Sequence, residues 1–275
     1  MNSALPEKQG PVTNPETRRT AIVVLNYNGE KFIDGLLNSL SHLEHDNYRV
    51  FFVDNASKDN SISIVNSFVL KLPLEIIENT ENLLFAGGNN VGIKRALEWG
   101  AEFIFLLNND TIAPPKILKS LTGFLEDNKN VGIVGPMIHF RHPENTIWFA
   151  GGYVSTWWGL VRHRGIRQID SGQFDEPAGV DYISGCALVA RREVWERVGF
   201  LDEKFPMYYE DTDFCFRAKK AGFECRWVPT DPVIHLVSAS AGGQMSRFKI
   251  GMRFFSGMRF FTRWSKWYQW PTIIL

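Results

Sequence analysis

Acidic side chains stop at Asp231, and none occurs from Gln244 to Leu275. That stretch holds Arg247, Lys249, Arg253, Arg259, Arg263 and Lys266, a charge of +6, which leaves 24 basic and 30 acidic groups in residues 1–243. The chain of 275 residues, with 30 Lys+Arg and 30 Asp+Glu, is therefore neutral only in sum. A mildly acidic body joined to a basic, aromatic-rich tail points to an anionic partner such as a membrane surface, and no nucleic-acid partner is expected. Cysteine is scarce as well. Cys186, Cys215 and Cys225 are odd in number and form no CxxC pair, which excludes a disulfide framework and a zinc ribbon and suits three reduced core thiols in a cytoplasmic protein. No uncharged apolar run approaches roughly 18 residues, so no spanning helix is expected. Residues 1–19 are polar, hold three prolines and lack an apolar core, which predicts a flexible leader rather than a signal peptide. No repeat or low-complexity segment is present. With 44% hydrophobic and 22% charged residues, the chain is globular, not collagen-like or disordered.

From Thr20 onward a regular alternation sets in. Apolar runs at Ala21–Leu25, Val50–Val53, Leu74–Ile77, Phe103–Leu107 and Val131–Val134 predict five buried strands. Between them, Phe32, Leu36, Leu37 and Leu40 recur at helical spacing, Ser57 stands as an N-cap for a helix to Phe68, a Gly/Asn loop leads into a helix over about 89–99, and Pro114 and Pro115 open another. Apolar strands alternating with amphipathic helices predict an α/β fold, a Rossmann-like mostly parallel sheet flanked by helices. Ligands in such sheets bind beyond the carboxyl ends of the strands. Those ends carry Asn26 and Asn28, Asp54, the Asn82–Gly92 loop and Asp110. Residues 139–180, rich in Gly, His, Arg and Trp, predict an antiparallel excursion. Helices then follow over 191–198 and from Tyr208 to Ala221, with a strand at Cys225–Val228.

Each polar motif has two readings on its own. Asp110, just past a buried strand, suits a hard divalent cation on a diphosphate, or simply caps a turn. Glu210 and Asp211 supply a general base, or a first turn that satisfies the helix dipole. His235 is a metal ligand or a core histidine. The paired glycines before Asn89 allow close backbone approach to a phosphate, or make a plain turn. Neither GxGxxG nor a P-loop is present, which counts against dinucleotide and P-loop NTPase chemistry.

Taken in order, Val24-Leu-Asn-Tyr-Asn-Gly29, Val53-Asp-Asn-Ala-Ser-Lys-Asp59, Phe85-Ala-Gly-Gly-Asn-Asn-Val-Gly92, Leu106-Leu-Asn-Asn-Asp-Thr111, Ser184-Gly-Cys-Ala-Leu188 and Tyr208-Tyr-Glu-Asp-Thr-Asp213 resemble the family 2 glycosyltransferases of the GT-A fold, in particular the bacterial rhamnosyltransferase-like branch. The likeness spans about residues 20–243. It implies an inverting transferase with a nucleotide-diphospho-sugar donor, dTDP- or UDP-linked, and a divalent cation, Mg2+ or Mn2+. By the same resemblance Asp54 accepts the imide N–H of the base, while Asn26, Asn28, Asn82 and Asn109 line the nucleoside pocket. Gly87, Gly88, Asn89 and Asn90 pack by the ribose and sugar phosphate. Asp110 and His235 hold the metal, and Asp211, with Glu210 beside it, is the catalytic base. Trp148, Trp157, Trp158, Ser184, Gly185 and Cys186 fall on the acceptor side, either stacking on a sugar or packing among themselves.

Departures from the family pattern are specific. The DxD motif is reduced to Asn108-Asn-Asp110, the branch has Gly where Leu84 stands, and its Arg-Asn pair appears as Arg259-Phe260. The QxxRW run of processive synthases is missing, which favours one sugar per encounter. The implied organisation is a leader (1–19), a GT-A domain (20–243) with a nucleotide-sugar part (20–135) and an acceptor and catalytic part (136–243), and a basic aromatic tail (244–275). Phe254, Met258, Phe261, Trp264 and Tyr268 share one side of a helical wheel, so the tail is expected either to lie in a membrane interface or to pack on the domain. The resulting expectation is transfer of a sugar, with L-rhamnose from dTDP-rhamnose favoured, to a surface glycan or lipid-linked acceptor at the inner face of the cell membrane. A sugar nucleotidyltransferase and an inactive carbohydrate-binding protein are the alternatives.

Overall fold

The computed structural model describes residues 18–236 and 247–274. Most of the expected leader and the expected boundary at 243/244 lie outside the described residues. In the first half, β1 (Thr20–Asn26), α1 (Glu30–Leu40), β2 (Tyr48–Asp54), α2 (Ser61–Asn66), β3 (Leu74–Glu78), α3 (Leu84–Glu98) and β4 (Phe103–Leu107) alternate as expected. β1 pairs in parallel with β2 and β4, and β2 with β3. The Val/Ile/Phe runs of β1, β2 and β4 are buried because helices cover both faces, and each fully buried Phe contributes roughly 1.5–3 kcal/mol. β3, at the sheet edge, is only half-buried.

Two local expectations are corrected here. The Gly/Asn stretch is not a loop before a helix from residue 89, because α3 already begins at Leu84 and contains Gly87, Gly88, Asn89 and Asn90. Its glycines serve packing: a Cβ at Gly88 would sit 2.3 Å from Leu25 Cδ1, and one at Gly92 2.5 Å from Val23 Cγ1. The helix therefore rides directly on β1 and β2. Likewise Ser57 caps no helix. α2 is confined to Ser61–Asn66, and Ser57 instead donates its hydroxyl to Asp54 at 2.6 Å.

The second half supplies β5 (Thr111–Ile112), α4 (Ile117–Asp127), β6 (Val131–Gly135), β7 (Ile138–Phe140), β8 (Ile147–Phe149), β9 (Gly152–Ser155), β10 (Leu160–His163), β11 (Ala178–Gly179), β12 (Ala187–Arg191), α5 (Arg192–Val198), α6 (Glu210–Lys220), β13 (Glu224–Trp227), β14 (Val233–His235), α7 (Arg247–Trp264), a 3-10 turn at Trp267–Gln269, and α8 (Trp270–Ile274). The large sheet runs β11-β13-β6-β12-β4-β1-β2-β3. It is mostly parallel, yet β6 does not extend the parallel row directly, because β12 lies antiparallel between β4 and β6. An antiparallel strand begins where its neighbours end. The turn before β12 therefore arrives at the same edge as Asn26, Asp54 and Asp110. A small sheet, β5-β14-β7-β8, brings His235 opposite Thr111, and β9 and β10 form the expected antiparallel excursion.

Gly92→Ala should destabilise the fold by about 1–3 kcal/mol through overpacking against Val23 and Val53, read as a lower urea midpoint with an unchanged slope.

Candidate functional site

Strand ends β2, β1 and β4 are tied by one chain of side-chain hydrogen bonds. Asn109 Nδ2 donates to Asn26 Oδ1 at 2.7 Å, and Asn26 Nδ2 donates to Asp54 Oδ1 at 2.9 Å. Ser57 adds its hydroxyl to Asp54 Oδ1 and its backbone N–H to Oδ2 at 2.8 Å. Asn28, with φ +51°, donates its N–H to Ser57 Oγ and accepts from Lys58 N–H at 2.8 Å. Ser57 was expected as an N-cap and not as a partner of Asp54, although an Asp followed three residues later by Ser is a turn signature.

Asn82 braces the start of α3: its Oδ1 accepts from Leu84 N–H at 2.9 Å and from Asn55 Nδ2. Leu84 itself sits at φ +59°, the left-handed region, which explains why a glycine suits this place better. Of the two α3 asparagines, Asn89 donates to Phe85 O, and Asn90 exchanges bonds with Leu201 and donates to Glu203. Asn90 thus anchors the 201–203 segment, while Gly87 and Gly88 face the sheet and that segment.

A second set gathers on the turn before β12. Cys186 O accepts from Asn108 N–H at 3.0 Å, which fixes this turn to the end of β4. Its thiol neighbours His235, and His235 Nε2 lies 3.3 Å from Asp110 Oδ2. On the other side of the turn, Gly185 N–H donates to Asp211 Oδ2 at 2.8 Å, and Ser184 Oγ accepts from Cys186 N–H. The two acidic positions, Asp110 and Asp211, are therefore bridged by three consecutive residues, 184–186.

Electrostatics separates the carboxyl groups. Glu210 is buried, so desolvation, with Asp211 adding repulsion, pushes its pKa well above the ordinary value. Burial also raises Asp211, against the lowering effect of hydrogen bonds from Gly185 and Thr212. Asp211 is half-buried and bonded through both oxygens, so it is the one poised to ionise. Burial opposes charge on His235, yet the adjoining Cys186 and Asp110 outweigh it and push the imidazole up to about 10. Burial pushes the Cys186 thiol up as well.

The tryptophans separate. Trp148 meets the His235 ring edge-on at 4.6 Å, beside the acidic site. Trp157 and Trp158 are exposed, and Trp157 packs on Tyr268 of the tail at 5.7 Å.

Asp213 is a residue whose importance the sequence did not reveal. Fully buried in the first turn of α6, it accepts from Arg217 Nε, Arg263 Nη1 and Trp264 Nε1, all at 2.8–2.9 Å. Arg263 also reaches Asp202 at 2.7 Å. The i,i+4 spacing to Arg217 was the available signal; the donors 50 residues on left none. Next to it, Tyr208 and Tyr209 both adopt left-handed backbone (φ +70° and +69°) just before Glu210. The tail holds them, with Ser256 Oγ donating to Met207 O at 2.7 Å and Phe260 packing on Tyr209 at 5.3 Å. Of the apolar side of the helical wheel, Phe261 and Trp264 turn inward while Phe254 and Met258 stay exposed, so α7 packs on the body, one of the two expected placements.

The sequence model for glycosyl transferase family 2 matches residues 21–199. The chain belongs to this family. A hexosyltransferase of low-salt glycan biosynthesis, Agl10 of Haloferax volcanii, is 28% identical over 203 residues, 73% of this chain and 61% of that protein. The dTDP-rhamnosyl transferase RfbF of Shigella flexneri is 27% identical over 225 residues, covering 78% and 68%. The N-acetylglucosaminyl-diphospho-decaprenol L-rhamnosyltransferase of Mycobacterium tuberculosis is 25% identical over 243 residues, covering 80% and 77%. This family member thus spans about three fifths of Agl10 and about two thirds of RfbF. Among solved structures, the mannosyltransferase PcManGT of Pyrobaculum calidifontis, with GDP-Man and Mn2+, aligns at TM-score 0.65 and 19% identity, covering 94% of this chain and 69% of that one. TarS of S. aureus with UDP aligns at 0.60 and 18%, covering 92% and 77%. The shared architecture is the GT-A fold.

Asp213→Ala should remove about 1–3 kcal/mol of stability by taking a fully buried acceptor away from Trp264 and the partly exposed Arg217 and Arg263, measured as a drop in unfolding free energy, whereas exposed Asp175→Ala should leave it within about 0.5 kcal/mol.

Proposed function

We propose that this family 2 member is an inverting glycosyltransferase that moves L-rhamnose from dTDP-rhamnose to a hydroxyl of a cell-surface glycan or lipid-linked acceptor. The observation that carries the reading is the bridge of residues 184–186, which sets an ionisable carboxylate, Asp211, beside the Asp110–His235 pair at the carboxyl edge of the sheet. The rhamnosyl transferases among the relatives support the sugar and the donor type.

In this mechanism Asp54 Oδ2 keeps a lone pair for the imide N–H of thymine, and Asn26, Asn28 and Asn109 hold the nucleoside side of the pocket. The first turn of α3, set by Asn82, turns its dipole and N–H groups toward the sugar phosphate. Asp110 and His235 fit a divalent cation. Their facing atoms have the spacing of adjacent ligands, carboxylate with imidazole suits Mn2+ or Mg2+, and His235 Nδ1 is buried without a hydrogen-bond partner. Among the described residues no group of three or more His, Cys, Asp or Glu could hold a metal, so a cation held by Asp110 and His235 would need further ligands from the donor. A bound cation supplies neutralisation of the leaving diphosphate. Asp211 takes the proton of the acceptor hydroxyl, whose oxygen bonds to the anomeric carbon as the bond to the diphosphate breaks, with inversion. Burial raises Glu210 further than Asp211, which leaves Asp211 the more readily ionised base of the pair. Ser184, Gly185, Cys186 and Trp148 border the acceptor, with Trp157 and Trp158 farther out. The location that goes with this reading is cytoplasmic, peripheral on the inner face of the cell membrane; among the described residues no helix is long and apolar enough to cross it.

Nucleotide release from dTDP-rhamnose should exceed that from UDP-galactose, UDP-glucose, UDP-GlcNAc and GDP-mannose, and Asp211→Asn should cut kcat about 10²- to 10⁴-fold with donor Kd unchanged. Near-normal turnover in that variant would sink the base assignment. Since Asp211 acts ionised and its pKa is raised, kcat should fall as pH drops through an acid limb above the ordinary carboxylate range.

Asp110→Ala should abolish the Mn2+ dependence of donor binding in calorimetric titration. Because the cation must displace the His235 proton, its affinity in the unaltered chain should tighten as pH rises.

A further inference from the structure

The two faces of α7 differ in what covers them. Inward, Ser256, Phe260 and Phe261 are buried against Phe205 and Tyr209. Outward, Ile250, Phe254 and Met258 recur at i, i+4 and i+8 and are 51%, 63% and 42% exposed, with Phe255 at 67% beside them. Two adjacent phenylalanines more exposed than buried are not a core element. They lie beside a groove of about 740 Å³ in which Phe255, Met258 and Pro206 form the apolar lining and Lys204, Arg259 and Arg263 the basic one. Arg263 is committed to Asp202 and Asp213, whereas Lys204 and Arg259 are exposed, Arg259 with its guanidinium over the Phe205 ring at 6.0 Å and with no carboxylate on α7 to neutralise it.

We propose that this outer face of α7, with Lys204, docks on an anionic lipid bilayer, the rings entering the headgroup layer and the cations meeting lipid phosphates. Charge complementarity selects this occupant: the segment from Gln244 on has six basic side chains and no acidic one, and although Arg263 is paired inward, exposed Arg259 and Lys204 leave the groove basic, which suits a negatively charged plane. Six residues along the same helix, the opposite face holds the left-handed turn that precedes Glu210 and Asp211. A chain seated by α7 thus presents its proposed base at a fixed distance from the lipid surface.

The proposal deepens the peripheral location of the proposed transferase, and it fails separately from the chemistry because vesicle binding needs no sugar. The full chain should sediment with vesicles of phosphatidylcholine mixed with phosphatidylglycerol and much less with phosphatidylcholine alone, and added salt should release it. Phe254→Ser should weaken vesicle binding about tenfold, and Phe255→Ser as much again. Lys204→Gln with Arg259→Gln should weaken binding about fivefold for each cation lost. Phe254, Phe255 and Lys204 are exposed, so in their variants melting temperature and nucleotide release in solution should not change. No sedimentation with the anionic vesicles, or binding untouched by all four substitutions, overturns the proposal. Lipid-free dimerisation that Phe254→Ser abolishes overturns it too, since a second copy would then be the occupant.

Discussion

The backbone hydrogen bond from Asn108 N–H to the Cys186 carbonyl ties the end of β4 to the turn before β12, and with it the surroundings of Asp110 to those of Asp211. It exists because β12 runs against β4, so the start of one strand lies beside the end of the other. Asp110 follows Asn108 by two residues and Gly185 precedes Cys186 by one. The positions of the acidic pair relative to each other thus descend from strand register, which is rigid, rather than from loop conformation.

Amide side chains do the corresponding work across the rest of that edge. A parallel sheet ends its strands with backbone groups and dipoles that nothing in the sheet satisfies. Asn109, Asn26 and Asp54 span three of those ends with two hydrogen bonds, and Ser57 closes the last of them. An asparagine both donates and accepts, so it can stand in the middle of such a chain where a carboxylate could stand only at its end. Asn109, the middle residue of the Asn108-Asn-Asp110 run, takes part here as a donor to Asn26.

Much of the fold was legible in the chain because the buried strands are continuous apolar runs and the helices between them keep their period. The carboxyl-edge residues followed from the same pattern. What stayed hidden depended on direction or on distance. Nothing in Ala187–Arg191 says that this apolar run is antiparallel to its neighbours. The start of α3 was misplaced because glycines and asparagines signal a turn in isolation, while here close approach to β1 makes glycine necessary inside a helix. The acceptors of Arg263 and Trp264 lie 50 and 51 residues away, beyond any local period. The helical wheel for the tail sorted residues by polarity, but packing chose Phe260 and Phe261 for the inside and left the equally apolar Phe254 and Phe255 outside.

The three donors on Asp213 also bear on where the chain can be cut. By charge and composition the natural place to trim is near residue 243, where the acidic body gives way to the basic tail. A chain ending there would keep a fully buried carboxylate with Arg217 alone, would uncover Phe205, and would lose the Ser256 bond beneath the left-handed tyrosines. Composition and cooperativity therefore draw different borders. The smallest piece that folds as this protein folds includes the helix that charge alone would assign to something else.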